Sequence, residues 1–160
     1  MASTDGEIRS DDVIRKGVVV FIWNDGLLLV ILRDDFPWIQ GPGLWAPVSG
    51  TIEDEESPSD CARREINEET GVSVDDSQIK YIGKELLENR LHYYYHLTIM
   101  SKKIALSEGQ EYKFVEIKKL HEKKLFSAIH KEERCFADYL TRGSFIEYLS
   151  ALKSRNDIAW

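Results

Sequence analysis

The chain has 160 residues, of which 42% are hydrophobic and 31% charged, and its formal net charge is −7. This length and composition are typical of one soluble globular domain. The negative charge argues against a nucleic acid polymer as partner, because a phosphate backbone would be repelled. It leaves open a small phosphorylated ligand, since a bound cation can reverse the local field.

Cysteine usage and hydropathy predict a cytoplasmic location. Cys61 and Cys135 are far apart and form neither a CxxC motif nor a Cys/His zinc spacing. No run reaches the ~18 apolar residues of a membrane span, and the polar, acidic start of the chain is not a signal peptide. We therefore expect no membrane partner, a flexible tail over residues 1–15 and a single domain over residues 16–160.

The first predicted elements form a β-hairpin. Residues 16–23 are β-branched and aromatic, and an Asn-Asp-Gly turn at residues 24–26 separates them from a second apolar run. Residues 34–43 hold two prolines and two glycines, which predicts a loop. Residues 44–52 are predicted as a short strand with Pro47 at its edge or start.

A helix of about three turns is predicted over Pro58–Thr70. Ser57 is a good N-cap residue and Pro58 suits the first helical position. Asp60 completes a pattern similar to a capping box. Gly71 provides the C-terminal stop.

Strands and helices also alternate after this point. Strands are predicted over residues 79–87, 91–100 and 111–117, a short helix over residues 118–124, and a helix interrupted by Gly143 over residues 132–153. Alternation along the second of these strands places one set of side chains in the core. The other set faces a wetter surface or a cleft and comprises His92, Tyr94, His96 and Thr98. This order indicates an α/β fold in which sheet and helices share one core.

Three glutamates gather on one face of the predicted helix. Glu65, Glu68 and Glu69 are spaced i, i+3, i+4, so their like charges repel in water. A divalent cation reverses that repulsion, and hard oxygen ligands select Mg²⁺, Mn²⁺ or Ca²⁺. The hypothesis is a metal-binding helix. The alternative is a solvated acidic face paired with Arg63 and Arg64.

The spacing of residues 50–72 favours the metal hypothesis, because it matches a known signature at every specified position. The pattern is Gly-x5-Glu-x7-Arg-Glu-apolar-x-Glu-Glu-x-Gly-apolar. The matching residues are Gly50, Glu56, Arg64, Glu65, Ile66, Glu68, Glu69, Gly71 and Val72. The chain therefore resembles the Nudix hydrolases, and the resemblance implies an α/β/α sandwich with a mixed β-sheet.

The resemblance also implies a reaction, the hydrolysis of a nucleoside diphosphate linked to a group X. The cofactor it implies is Mg²⁺, with Mn²⁺ as a substitute. The metal ligands would be Glu65, Glu68, Glu69 and the backbone carbonyl of Ser49, with Glu56 reaching an outer metal or supporting the loop–helix junction. Many members have glycine where Ser49 stands here, but a backbone carbonyl does not require glycine.

Two further roles follow from the resemblance. Arg64 would orient a glutamate through an ion pair. The general base would be Glu65 or Glu108. Glu108 lies in a late loop that often supplies another carboxylate, and it would alternatively be a further metal ligand.

The signature leaves the group X unspecified, so base recognition is expected from aromatic stacking and polar contacts elsewhere. The candidate substrate-binding residues are Arg33, Trp38, Tyr94 and His96, together with Phe36, Gln40 and His92. Trp45 is expected in the core.

The leading interpretation is a Mg²⁺-dependent pyrophosphohydrolase that converts a nucleoside triphosphate to NMP and pyrophosphate. The nearest alternative is a pyrophosphatase of ADP-ribose, a nucleotide sugar or a dinucleotide. A nucleotide-binding module without turnover is a third interpretation, against which the intact signature argues. An isoprenoid isomerase is a fourth, but its acid and base residues are not identifiable. A homodimer is left open.

Overall fold

The computed structural model describes residues 14–34, 36–38, 43, 45–87, 89–107, 111–117 and 143–155. The strands in this part are β1 Arg15–Asn24, β2 Leu27–Leu32, β3 Trp45–Ala46, β4 Val48–Thr51, β5 Lys80–Leu87, β6 Arg90–Thr98 and β7 Glu111–Val115. The helices are α1 Pro58–Thr70 and α2 Gly143–Ser154. Neither of these helices has the length and apolar content to cross a lipid bilayer.

The strands form one mixed sheet with a helix on each face. Its order is β3-β2-β1-β6-β5, with β4 paired to β1 and β7 paired to β2. The pairing of β1 with β6 is parallel, and the other pairings are antiparallel. The expected α/β/α sandwich with a mixed sheet is confirmed.

The central strand β1 is buried on both faces, because a helix covers each side of the sheet. One face packs with α1, through Val18, Val20 and Ile22 against Cys61, Ala62 and Ile66. The other packs with α2, through Val19, Phe21 and Trp23 against Leu149 and Leu152. The first of these layers holds α1 against the sheet and positions the residues on its sheet-facing side.

The predicted hairpin is confirmed. Asn24 pairs with Leu27 across the turn. Asp25 and Gly26 both have positive φ, 48° and 73°. Two consecutive positive φ values define the type I′ turn that suits the twist of a two-residue hairpin.

Residues 45–51 form two short strands instead of the single predicted one. Trp45 in β3 pairs with Leu32 in β2, whereas Gly50 in β4 pairs with Val18 in β1. Pro47 lies between the two strands, and its missing N–H fits a point where the ladder changes partners. The change places the end of β4 beside α1. Trp45 is 6% exposed, as expected for a core residue.

The predicted boundaries of α1 are confirmed by its caps. The Ser57 side-chain oxygen accepts a hydrogen bond from the Asp60 N–H at 3.1 Å. Gly71 has φ 73° and donates its N–H to the Asn67 carbonyl at 2.8 Å. Both ends are set by local chemistry that the sequence carries.

The prediction for one face of β6 is wrong in part. Tyr94 was expected on a wetter face, but it is 6% exposed and lies in the core under α2. His92 and His96 on the same face are partly exposed. The cause is α2, which covers this face of the sheet. The short helix predicted over residues 118–124 and the first part of the one predicted over residues 132–153 lie outside the described residues.

Candidate active site

The guanidinium group of Arg64 on α1 lies among four carboxylates. Its Nε and Nη2 donate to the two oxygens of Glu56 at 2.8 and 2.9 Å, a bidentate pair. Its Nη1 donates to Glu65 at 2.8 Å and to Glu68 at 3.1 Å. Glu53 lies 3.8 Å from Nη2. We call these five residues the Arg64 cluster, in which one positive charge faces four negative charges.

The Arg64 cluster joins three parts of the chain. Glu68 follows Arg64 by one helical turn, and Glu56 comes from the loop before α1. The Thr51 carbonyl at the end of β4 accepts a further hydrogen bond from Arg64 Nη2 at 3.1 Å. Arg64 therefore fixes β4, the loop and α1 relative to one another.

Gly50 is required by the position of Glu65. A Cβ atom at Gly50 would lie 2.0 Å from both Cδ and Oε1 of Glu65, closer than atoms approach without bonding. The Glu65 carboxyl group thus occupies the space that a side chain would fill, and the residue is 8% exposed. The first glycine of the signature is what lets this glutamate lie against the β4 backbone.

Glu69 lies against the neighbouring residue of the same strand. Its Oε2 accepts a hydrogen bond from the Ser49 N–H at 3.2 Å, and the residue is 9% exposed. The side chain of Glu68, by contrast, is 49% exposed. Two of the three helix glutamates therefore face β4, and the third lies at the solvent edge.

Ion pairing and burial shift the pKa values of Glu56, Arg64 and the neighbouring Cys61. Hydrogen bonds from Arg64 lower the pKa of Glu56 to about 2, and the bonds with Glu56 raise the pKa of Arg64. Burial raises the pKa of the neighbouring Cys61 thiol to about 12, with a smaller contribution from the Glu56 charge. At neutral pH Glu56 is thus ionised and Cys61 is protonated.

We predict that the Glu56–Arg64 pair makes stability sensitive to acid. The folded-state pKa of Glu56, about 2, is below its ordinary 4.5, so its stabilising contribution is present above pH 4.5 and is lost as the pH falls towards 2. Glu56→Gln should therefore be less stable at pH 7 and should depend less on pH over that interval. Urea unfolding at a series of pH values measures both effects.

The control for this prediction is Glu55→Gln, a change at an exposed residue of the same loop. It should leave the acid dependence as in the wild type. Equal acid dependence in the wild type and in Glu56→Gln would show that the ion pair is not its source.

The donor atoms beside α1 determine which cations this site could bind. Within the described residues, no three His, Cys, Asp or Glu side chains form a ready-made metal group. The available donors are nonetheless hard carboxylate oxygens, which Mg²⁺ and Mn²⁺ prefer. A single guanidinium balances only part of the charge of the four carboxylates around it, and Glu69 adds another. The chemistry and charge of the site fit a divalent cation.

The predicted substrate-binding residues lie in different places. Phe36 and Trp38 stack face to face, with ring centroids 4.8 Å apart, and are 47% and 77% exposed. Arg33 directly follows β2 and is partly exposed. Gln40 and Glu108 lie outside the described residues.

Tyr94 and His96 lie on the α2 face of the sheet, opposite α1. The Tyr94 ring stacks with Phe21 and His92 at centroid distances of 6.0 and 6.3 Å. Its hydroxyl donates a hydrogen bond to the Glu85 carboxylate at 3.2 Å. His96 Nδ1 contacts the hydroxyl of Tyr148 on α2. Tyr94 is enclosed and offers little surface to a ligand, whereas His96 remains partly exposed.

Two members of this site were not predicted. Glu53 approaches Arg64, but nothing distinguishes it in sequence from the other acidic residues of its loop. The Thr51 carbonyl accepts from Arg64, and a backbone carbonyl carries no sequence signal. Both can be recognised only from the fold, which places β4 and the loop that follows it beside Arg64 on α1.

A family model described as the NUDIX domain matches residues 13–136. The chain belongs to the Nudix family of hydrolases. Nudix hydrolases generally use a divalent metal, in agreement with the chemistry of the donor set.

Solved structures share the Nudix fold. A MutT/nudix family protein from Enterococcus faecalis matches with a TM-score of 0.58 and 20% identity, over 68% of this chain and 46% of that one. The E. coli dihydroneopterin triphosphate pyrophosphohydrolase matches with a TM-score of 0.53 and 19% identity, over 72% and 92% of the two chains.

A third match is a bifunctional NMN adenylyltransferase/ADP ribose pyrophosphatase from Francisella tularensis, solved with AMP and a manganese ion. Its TM-score is 0.59 and its identity 14%, over 90% of this chain and 42% of that one. The present chain thus spans less than half the length of the first and third proteins. At these identities the likeness establishes the fold alone.

Proposed function

We propose that this Nudix hydrolase is a Mg²⁺-dependent pyrophosphohydrolase that cleaves a nucleoside triphosphate into NMP and pyrophosphate. The observation that carries the proposal is the Arg64 cluster, in which Glu56, Glu65 and Glu68 are all hydrogen-bonded to one guanidinium. Such an excess of anions beside α1 is suited to cations that also bind a diphosphate. A free triphosphate approaching the same carboxylates would be repelled.

The residues that would hold the cation are Glu65, Glu68 and Glu69 with the Ser49 carbonyl, and Glu56 at an outer position. When bound, Mg²⁺ neutralises the phosphates, polarises phosphorus and lowers the pKa of water. Mn²⁺ is expected to substitute, because it prefers the same oxygen donors.

The protein's own part is to hold its carboxylates in place before substrate arrives. Arg64 fixes Glu56 through two hydrogen bonds and Glu65 through one. The Ser49 N–H fixes Glu69. A preorganised set of charges needs no rearrangement during the reaction, which is where much enzymatic rate enhancement originates.

The proposed reaction is attack of water on one phosphorus atom. The water oxygen forms a bond to that phosphorus, the bond from it to the bridging oxygen between the α- and β-phosphates breaks, and the products are NMP and pyrophosphate. The water proton passes to a carboxylate within hydrogen-bond reach. Glu65 and Glu108 are the two candidates for this base. Glu56 is excluded because Arg64 holds its pKa near 2.

Base recognition is proposed for the Phe36–Trp38 pair, with Arg33 and His96 as polar contacts. Phe36 covers one face of the Trp38 ring, and Trp38 as a residue is 77% exposed, so its ring can stack on a nucleobase. Tyr94 is the weakest of the predicted substrate residues, because it is 6% exposed.

Trp38→Ala should raise KM roughly tenfold with little change in kcat, since base–aromatic stacking contributes about 1–3 kcal/mol. Trp38→Phe should retain most of the affinity. The control is Met100→Ala. Met100 lies two residues after the end of β6 and is 94% exposed. An unchanged KM in Trp38→Ala would rule out stacking at this residue.

The function is tested by incubating the purified protein with a nucleotide panel and Mg²⁺, and identifying products by ³¹P NMR. The panel contains ordinary and oxidised nucleoside triphosphates, ADP-ribose, nucleotide sugars and dinucleoside polyphosphates. We expect the highest kcat/KM for a triphosphate, with NMP and pyrophosphate as products. A higher value for ADP-ribose, a sugar or a dinucleotide would transfer the activity to that substrate. Binding without any turnover would support a non-catalytic module.

The setting proposed for this activity is the cytoplasm, with a small nucleotide as partner and neither a membrane nor a nucleic acid polymer. The net charge of −7 supports the exclusion of polymers. A homodimer is compatible with the exposed aromatic side chains.

A further inference from the structure

Thr51 accepts hydrogen bonds from two arginines that belong to different secondary-structure elements. Its carbonyl accepts from Arg64 Nη2 at 3.1 Å, and its Oγ1 accepts from Arg90 Nη2 at 3.2 Å. Arg64 belongs to α1, whereas Arg90 is the first residue of β6. Since β4 and β6 both pair with β1, Arg90 has to reach across β1 to make this bond.

Gly17 on β1 provides the space that Arg90 crosses. Gly17 pairs with Thr51 on β4 and with His92 on β6. A Cβ atom at Gly17 would lie 2.8 Å from Arg90 Nη2 and 2.9 Å from the Gly50 carbonyl oxygen. The guanidinium of Arg90 therefore lies directly over the backbone of β1 at Gly17.

We propose that Arg90 is a positioning residue for the Arg64 cluster and that it acts through Thr51. The catalytic part of this inference rests on the proposed function. Thr51 is the last residue of β4, and the bond from the Ile52 N–H to the Lys16 carbonyl at 2.9 Å is where β4 leaves β1. The Thr51 carbonyl and the Ile52 N–H belong to one planar peptide group, so the bond to Lys16 restrains the direction of the carbonyl, and Arg90 adds a second restraint through the Thr51 side chain.

The direction of the Thr51 carbonyl matters because Arg64 binds it with Nη2. The same guanidinium holds Glu56, Glu65 and Glu68, so a displaced carbonyl shifts all three carboxylates together. An arginine suits this role because its planar, rigid fork directs each N–H, which a lysine ammonium does not do.

The test uses Thr51→Val, which keeps the shape of the side chain and removes the acceptor, and Thr51→Ser, which keeps the acceptor. Arg90→Lys and the double variant Thr51→Val/Arg90→Lys complete the set. We expect Thr51→Val and Arg90→Lys each to lower kcat roughly tenfold, the scale for groups that orient metal ligands, with less than about a twofold change in KM. Thr51→Ser should recover most of the activity.

The double variant distinguishes a shared pathway from separate effects. It should be no slower than the slower single variant, because both changes break the same contact. Lys84→Ala, at an exposed residue of β5, controls for the loss of one positive charge and should leave kcat unchanged. Additive losses in the double variant would overturn the proposal.

A second readout needs no substrate. The Arg64 Nε–H is bonded to Glu56 at 2.8 Å, so its signal in a ¹H–¹⁵N NMR spectrum should exchange slowly with water in the wild type. Thr51→Val and Arg90→Lys should speed this exchange at least severalfold, and Thr51→Ser should not. If the wild type hydrolyses no nucleotide but the exchange responds, the proposed function fails and the positioning link stands. Unchanged exchange in Thr51→Val overturns the positioning link, whatever the activity.

Discussion

Replacing Glu69 with glutamine should lower kcat on the order of 10³-fold, the scale for loss of a charged catalytic group, while the protein stays folded. Glu69 is 9% exposed, and its carboxylate accepts a hydrogen bond from the Ser49 N–H. A glutamine oxygen can accept the same hydrogen bond, so the change removes the negative charge and retains the contact. Steady-state kinetics on the best substrate, together with urea unfolding, separate the two effects.

Glu68→Gln should produce a loss of the same order without a cost in stability, because the Glu68 side chain is 49% exposed. The matched control is Glu147→Gln, which changes an exposed glutamate on α2. It should leave kcat as in the wild type. Wild-type turnover in both Glu68→Gln and Glu69→Gln would remove these residues from the mechanism.

Arg64→Ala should abolish measurable turnover and lower the free energy of unfolding by about 3 kcal/mol. The side chains of Glu56 and Glu65 are only 14% and 11% exposed, and both would lose their positive partner. The 24% exposure of the Arg64 side chain places the loss at the lower end of the range for breaking buried ion pairs. Urea unfolding at pH 7 measures it.

Arg63→Ala is the control, because it changes the adjacent arginine of the same helix. The Arg63–Asp60 pair is 3.5 Å long, and its side chains are 38% and 62% exposed. Such exposed pairs contribute about 0–1 kcal/mol, and the hydrogen bond from Arg63 Nε to the Val74 carbonyl at 3.2 Å contributes about 1 kcal/mol. The loss should therefore be smaller than in Arg64→Ala. Equal destabilisation by Arg63→Ala and Arg64→Ala would mean that the Arg64 cluster does not stabilise the fold.

Elements that depend on local chemistry could be predicted from the sequence. The ends of α1 follow from Ser57 and Gly71, each of which acts on backbone groups within one turn. The hairpin follows from Asp25 and Gly26, which tolerate the positive φ that its turn requires. No tertiary contact is needed for either prediction.

Elements that depend on distant packing could not be predicted in the same way. The break at Pro47 reflects a change of strand partner, which alternation along the chain does not reveal. The burial of Tyr94 depends on α2, which lies about fifty residues later in sequence. A strand covered on both faces loses the alternation from which one wet face was inferred.

The candidate site shows the same difference between local features, which could be predicted, and contacts between distant residues, which could not. Signature spacing predicted Arg64 and the three helix glutamates as site residues, because their positions are defined relative to one helix. It did not reveal that Arg64 would gather Glu56, Glu65 and Glu68 on one guanidinium. It also did not reveal the bond between Thr51 and Arg90, whose partners are thirty-nine residues apart.

We propose that Glu65, Glu68 and Glu69 hold divalent cations against a diphosphate. The most direct test of this claim is Mn²⁺ binding by electron paramagnetic resonance, with and without a non-hydrolysable α,β-methylene analogue of ATP, in the wild type and in Glu68→Gln. We predict that the analogue tightens Mn²⁺ binding to the wild type. Glu68→Gln should bind Mn²⁺ at least about tenfold more weakly than the wild type. Equal Mn²⁺ binding by the two proteins in the presence of the analogue would contradict the claim.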